Sequence, residues 1–443
     1  MDSLTEAVID GAPGEELARI RIPTEFVAGH LRVEDVDMFA GMADKDVRKS
    51  LRVGPVPMPE LAPDEVLVAV MASSINYNTV WSAIFEPLPT FDFLRRYGRE
   101  GGFASRHDRP FHVLGSDAAG VVVRTGAGVR RWKVGDHVVA SAVAVDEQEP
   151  ATHWDGMLGS RQRAWGYETN FGGLAHYTVL RASQVLPKPP HLTWEEAATA
   201  TQCAGTAYRM LVSDRGARIK QGDVVLIWGA AGGLGVFAAQ LVKNGGGIPV
   251  GVVSSEEKAA VARRLGCDVV VNREELGIGG PETSIEAGKR LGRIIRREVG
   301  EDPHVAFDYT GRATFGISVF VVRRGGAVVT CGSSSGYQHE YDNRYLWMNV
   351  KRIIGSHGAN LQELYECIRL FRLGHLMPVI SAVYPLAEVG EATRLVQTNG
   401  HVGKVGVLCM APERGMGVTD AETRARLGPE RLDPLAGIWK HRN

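Results

Sequence analysis

From Asp223 to Gly235 the chain reads DVVLIWGAAGGLG, an apolar strand that runs into a glycine-rich turn and opens a helix. Few folds use this junction. It brings the free amides of a helix N-terminus to the end of a sheet strand, where a dinucleotide pyrophosphate can lie against them. The helical run VFAAQLVKN and a second apolar strand, IPVGVV, follow at the spacing of a βαβ unit, which separates this signal from an isolated glycine turn. Ala230 stands in the place of the first glycine, and Gly232 and Gly235 remove side chains that would come between backbone and phosphate. Gly233 and Leu234 inside the turn, and Cys331 and Gly332 after the later strand GAVVT, are expected along the same ligand.

The end of the second strand selects the dinucleotide. An NAD site carries Asp or Glu about 20 residues past the glycines, where it accepts hydrogen bonds from the ribose hydroxyls. Here the strand ends on Ser254 and Ser255, and Glu256 and Glu257 arrive only inside the next helix. Lys258 and Arg273 can meet a 2′-phosphate, so hydroxyls and cations in place of a carboxylate favour NADPH. The competing possibility is that Lys258 is a solvated helix residue, as most lysines are.

With 443 residues the chain has length for roughly two or three domains. Its formal net charge of −1 gives no reason to expect a nucleic-acid or acidic-membrane partner. Five scattered cysteines, odd in number and without metal-ligand spacing, suit reduced thiols in the cytoplasm. The first residues carry acidic side chains and no long apolar run, so neither a signal peptide nor a membrane span is expected.

Short β-rich runs (EVLVAVM, AAGVVV, DHVVAS, AHYTVL) separated by turn residues indicate a β-barrel-like unit from Glu65 to about Leu186. Thr193 to Glu196, TWEE, forms a capping box before an alanine-rich helix. From about Gly222 strands and helices alternate, the pattern of a parallel sheet with helical crossovers, and β-like runs return after Gly374. The expected organisation is a β-rich domain over residues 1–205, a nucleotide-binding domain over 206–372, and a return to the first domain over 373–443. Residues beyond about Pro412 are charged and weakly patterned, as in a surface tail or a pad against a neighbouring subunit.

With LGSDAAGVV, KVGDHV, GAAGGLG, RRGGAVVTCG and HVGKVGVL in place, the chain resembles the medium-chain dehydrogenase/reductase superfamily from about Glu65 to Leu408. The resemblance implies an α/β fold, with a GroES-like β-rich catalytic domain and an inserted Rossmann domain of doubly wound parallel sheet. Zinc alcohol dehydrogenases of that superfamily have His and Glu where this chain reads Gly115, Ser116, Asp117, so no metal is expected. Longer strings, INYNTVWSAIFEP, WGYETNFGGLAHY and SSSGYQHEYDNRYLWMNVKRIIGSHGAN, resemble crotonyl-CoA carboxylase/reductases and their enoyl-CoA relatives. That implies reductive carboxylation: NADPH delivers hydride to C3 of a trans-2-enoyl-CoA, and the enolate captures CO2 at C2.

The expected site follows from the resemblance and from what CO2 needs, namely neutral or cationic donors for its oxygens. Asn78 offers an amide that stays uncharged at every working pH, while Asn76 is the better candidate to cap the helix that follows. His357 can donate to a CO2 oxygen directly or through water. Glu168, which would repel a nascent carboxylate on contact, is expected to accept a hydrogen bond from His357 or from water and so orient that donor. Tyr167 stands where relatives generally have Phe, and Gly358 where crotonyl-specific relatives tend to have Phe, which suggests an acyl chain longer than crotonyl. Arg344, Tyr345 and, more weakly, Arg352 are expected to hold CoA. Relatives form tetramers built from dimers, so a homodimer or homotetramer is expected. Two other functions stay open: an enoyl-thioester reductase without carboxylation, and a low-turnover NADPH-binding protein resembling quinone reductases.

Overall fold

The computed structural model describes residues 3–278 and 284–440. Strand Glu65–Ile75 is buried along its whole length, because its apolar EVLVAVM run is covered on both faces. It pairs antiparallel with Ala119–Thr125, Tyr177–Arg181 and Lys404–Leu408. The last of these lies beyond the nucleotide-binding segment in sequence, so the catalytic sheet is closed by residues from both sides of the insertion. That sheet continues through His137–Ala140 and Val185–Pro187 at one end and Ile380–Pro385 at the other.

The inserted domain is a six-stranded, all-parallel sheet, its strands ordered Val269–Asn272, Ile248–Val253, Val224–Trp228, Val305–Phe307, Ala327–Thr330, Arg352–Gly355. The order reverses at Val224–Trp228, and the glycine turn leaves the carboxyl end of that strand. A doubly wound sheet binds its ligand at such a switch point. Helix Gln202–Leu211 straddles the boundary expected at 205/206, while helix Leu361–Arg372 ends where the insertion was expected to end.

Thr193 and Glu196 form the capping box, at 3.3 and 2.9 Å. The segment after Pro412 is tied to its own chain rather than left as a loose tail. Lys188 Nζ donates to the Gly417 carbonyl at 2.8 Å, the Trp194 amide donates to the Met416 carbonyl, and Arg424 pairs with Glu196 at 2.7 Å. Among the described residues no helix is long and apolar enough to cross a membrane.

Among the histidines that the catalytic domain buries are His107 and His112, both held below their usual range by burial. His112 is fully buried between the Thr90 hydroxyl (2.8 Å) and the Thr169 carbonyl (3.2 Å), and burial pushes it down to about 4. His107 accepts from the Asn170 amide through Nδ1, and burial holds it well below its usual value. The unfolded chain takes up these protons first, so stability is complete above about 6.5 and is lost as the pH falls. His112 alone is expected to remove on the order of 3 kcal/mol between pH 6.5 and 4. Urea melts at pH 7.5, 5.5 and 4.5 measure this; a flat profile would contradict it.

Candidate active site

A cleft of about 580 Å³ separates the two domains. Its nucleotide side is built by the glycine turn, in which Gly232 N donates to Gly229 O at 2.8 Å and Tyr309 Oη donates to the same carbonyl at 2.9 Å. Gly232, Gly233 and Leu234 reach the wall, as do Ser254, Lys258, Arg273, Cys331 and Gly332. Three expected contacts do not. Ala230 is fully buried beneath the turn. Gly235 is required by the turn itself, since a Cβ there would lie 2.1 Å from the Gly229 carbonyl oxygen. Ser255 spends its hydroxyl capping helix Glu256–Arg264, accepting from the Lys258 amide at 3.3 Å.

Lys258 and Arg273 stand close enough that Arg273, after burial, helps to lower the Lys258 pKa. The Lys258 ammonium also reaches across the cleft to the backbone and side-chain oxygens of Asn399, at 3.0 and 3.3 Å. No Asp or Glu appears anywhere on the cleft wall among the described residues. Two cations, a serine hydroxyl and no carboxylate at the end of the second strand fit the 2′-phosphate of NADPH and leave nothing to hold an unphosphorylated ribose in the NAD manner.

On the catalytic side, helix Tyr77–Ala83 starts directly after the buried strand and carries Asn78 to the wall. Its Nδ2 donates to Ser116 Oγ at 2.7 Å, and Ser116 Oγ donates to the Trp165 carbonyl at 2.7 Å. Asn78 Oδ1 is buried with no partner among the described residues. Asn76 occupies the N-cap position, but its side chain does not cap the helix. Instead its Nδ2 donates to Asp117 at 2.7 Å and its Oδ1 accepts from Lys404. Lys404 and Asp117, 2% and 0% exposed, form an ion pair of 3.2 Å under the cleft floor. Burial opposes the lysine's charge, yet the Cys203 thiol and the Asp117 carboxylate outweigh it and raise the pKa.

Tyr167 is on the wall, its ring 5.9 Å from that of Phe93, and burial pushes its hydroxyl up to about 12, so it stays protonated. Glu168 departs from expectation. Its carboxylate accepts from the Ala164 amide at 2.7 Å and closes the turn that presents Tyr167, with no hydrogen bond to His357. A carboxylate this near an unpaired backbone amide in its own turn takes the local donor before a distant ring. His357 is exposed on the opposite wall, with no hydrogen-bond partner among the described residues. Gly358 beside it has φ of +52°, and a Cβ there would meet Val143 Cγ2 at 3.0 Å and Met157 Sδ at 3.3 Å. These two side chains occupy part of the space that a missing ring would open.

Arg344, Tyr345 and Arg352 are not brought to the cleft. Arg344 is paired with Asp342 at 2.6 Å on the surface, the Tyr345 ring packs edge-on against Phe320, and Arg352 is exposed on the outermost strand of the parallel sheet. Conversely, Lys404, Tyr309, Cys203 and Ser116 all line the cleft without having been singled out. Only Lys404 left a sequence signal, as a lysine opening the otherwise apolar strand KVGVL. Among the described residues no three His, Cys, Asp or Glu side chains converge as metal ligands.

Both domains have counterparts among known proteins. Residues 62–190 match the alcohol dehydrogenase GroES-like domain and residues 233–372 the zinc-binding dehydrogenase domain. Crotonyl-CoA reductase of Streptomyces collinus is 51% identical over 94% of both chains. Crotonyl-CoA carboxylase/reductase of Cereibacter sphaeroides is 36% identical over 94% of this chain and 96% of its own. Among solved structures, a 2-octenoyl-CoA carboxylase reductase in complex with NADP and 2-octenoyl-CoA superposes with a TM-score of 0.97 at 66% identity, covering 99% of each chain. The same enzyme without ligands, from a Streptomyces species, gives a TM-score of 0.94 over 98% of this chain and 99% of its own. Fold, cleft and sequence together make this chain a member of the crotonyl-CoA carboxylase/reductase family, within the medium-chain dehydrogenases/reductases.

Proposed function

We propose that the protein is an NADPH-dependent enoyl-CoA carboxylase/reductase, which adds hydride at C3 of a trans-2-enoyl-CoA and CO2 at C2 to give an alkylmalonyl-CoA. The observation that carries this is the chemistry of the wall: the cations of Lys258 and Arg273 and the amide of Asn78, with no acidic side chain among the described residues. Such a wall attracts phosphates, stabilises charge forming on a thioester oxygen, and does not repel a nascent carboxylate.

Bound NADPH supplies the hydride. The chain's own residues then decide what C2 meets. Asn78 keeps one N–H free of partners among the described residues, and we assign it contact with CO2. The rings of Tyr167 and Trp81 exclude water from C2. His357 donates to a CO2 oxygen, directly or through water, unaided by Glu168.

The likeness to a 2-octenoyl-CoA enzyme, together with Gly358, supports an acyl chain longer than crotonyl. Val143 and Met157 then form the wall that the chain end passes. Octenoyl-CoA exceeds crotonyl-CoA by four methylenes, each contributing about 0.8 kcal/mol on burial. Gly358→Phe is therefore expected to lower kcat/KM for octenoyl-CoA relative to crotonyl-CoA by on the order of tenfold or more. Competition between the two substrates reads that ratio directly, and an unchanged ratio would remove Gly358 from length selection.

We further propose a homodimer or homotetramer. Among the described residues, strand Arg352–Gly355 leaves one edge of the parallel sheet unpaired, and Trp347, Met348, Val350 and Ile353 are exposed along it. A second copy would cover this strip. Arg344, Tyr345 and Arg352 lie on the same strip, which supports CoA binding at the subunit contact rather than in the cleft of one chain. Five unpaired cysteines support a cytoplasmic setting.

The test of the activity is NADPH oxidation with crotonyl-CoA and 2-octenoyl-CoA, with and without bicarbonate, followed by product mass. A carboxylated acyl-CoA is expected; saturated acyl-CoA alone would replace the proposal with simple reduction.

A further inference from the structure

We infer that Ser116 is a positioning residue for carboxylation, one that sets which way the Asn78 amide points and ties it to the loop that carries Tyr167. The inference rests on the assignment of Asn78 to CO2. Ser116 is 1% exposed and sits between two partners, the Trp165 carbonyl at 2.7 Å and the Asn78 amide at 2.7 Å.

A hydroxyl has one proton to give. Because a carbonyl can only accept, the Ser116 proton goes to Trp165. The lone pair left on Oγ therefore requires a donor from Asn78, and Nδ2 is the only atom of that amide that can supply one. The orientation of the amide follows from this chain of bonds. Its second N–H is what the amide has left to offer the cleft, while Oδ1 is buried, without a partner among the described residues. That N–H matches CO2 chemically, since it suits an oxygen that gains charge as the carboxylate forms. Turned by 180°, the amide would face the Ser116 lone pair with its own oxygen and lose the bond.

The second partner matters as much as the first. Trp165 begins the turn that displays Tyr167, and this turn is held on every side. Trp165 N donates to the Ala142 carbonyl at 2.8 Å, Glu168 closes on the Ala164 amide, and a Cβ on Gly166 would lie 2.0 Å from the Gly115 carbonyl oxygen. Ser116 thus bonds the donor on one side of the C2 pocket to the backbone that carries the water-excluding ring on the other.

The test compares Ser116→Ala, Asn78→Ala and the double variant, reading KM for CO2 and the ratio of carboxylated to saturated product. Loss of one orienting hydrogen bond is expected to raise KM for CO2 and lower the ratio by about tenfold in Ser116→Ala. If Ser116 acts through Asn78, the double variant partitions as Asn78→Ala does alone; a purely structural role would make the two effects multiply. Wild-type partitioning in Ser116→Ala, or multiplying effects in the double variant, would overturn the inference. Should the alanine variant fail to melt cooperatively, Ser116→Cys, a weak acceptor of similar size, is expected to partition between wild type and Asn78→Ala, and wild-type partitioning there overturns the inference equally. Absence of carboxylated product from the wild-type enzyme, by contrast, would sink the functional proposal itself and is read before any variant is made.

Discussion

Asn78→Leu is expected to convert the product from alkylmalonyl-CoA to the saturated acyl-CoA, changing their ratio by more than about tenfold. Leucine repeats the branched heavy-atom skeleton of asparagine, so the helix Tyr77–Ala83 keeps its shape, although the bulkier methyl groups must move off the Ser116 hydroxyl that Nδ2 meets at 2.7 Å. What disappears is the amide N–H that is proposed to meet a CO2 oxygen. A hydrogen bond to a group that becomes charged is worth about 1.5–3 kcal/mol, and here it forms only as the carboxylate forms, so its loss falls on carboxylation and not on hydride transfer. Mass spectrometry of the acyl-CoA products at saturating bicarbonate measures the ratio. Partitioning equal to wild type would exclude Asn78 from the chemistry.

The second large effect is on stability. Lys404→Met leaves the Asp117 carboxylate at 0% exposure without its cation. Asp117 would keep the Ser74 hydroxyl at 2.5 Å and the Asn76 amide at 2.7 Å, but hydrogen bonds of neutral donors do not replace a buried counter-charge. Removing one partner of a buried pair costs about 3–5 kcal/mol. The variant is expected to lose that much in urea unfolding at pH 7.5. Lys404→Met combined with Asp117→Asn, which leaves no buried charge, should recover a substantial part. A single variant as stable as wild type, or a double variant no better than the single, would show that the pair is not the element holding the cleft floor.

The parts of this protein legible in its sequence are those in which neighbours along the chain are neighbours in space. The glycine turn, the alternation from Val224 to Gly355 and the Thr193–Glu196 capping box are all local patterns, and each forms as expected. Asn78, Tyr167, His357 and Gly358 meet at one cleft because the resemblance carried the fold with it. Contacts between distant segments were not legible. Asp117 and Lys404 are 287 residues apart and meet only because strand Lys404–Leu408 returns to pair with Glu65–Ile75. The same holds for Ser116, whose partners lie 38 residues before it and 49 after. Glu168 and Ser255 failed for the opposite reason, since each found a nearer backbone amide than the distant partner assigned to it. Arg344 and Tyr345 lie away from the cleft, Arg344 paired with Asp342 and Tyr345 packed against Phe320, so CoA binding by them stays a proposal.

At the centre of the account is an enolate carbon that meets CO2 before it meets solvent. The most direct measurement runs the reaction of 2-octenoyl-CoA and NADPH in D2O with carbon-13 bicarbonate, and reads both labels in the acyl-CoA products. Carbon-13 in a new carboxylate at C2 is expected as the main outcome, with little saturated product bearing deuterium at C2. Saturated, C2-deuterated octanoyl-CoA as the main product, with no carbon-13 incorporated, would contradict it.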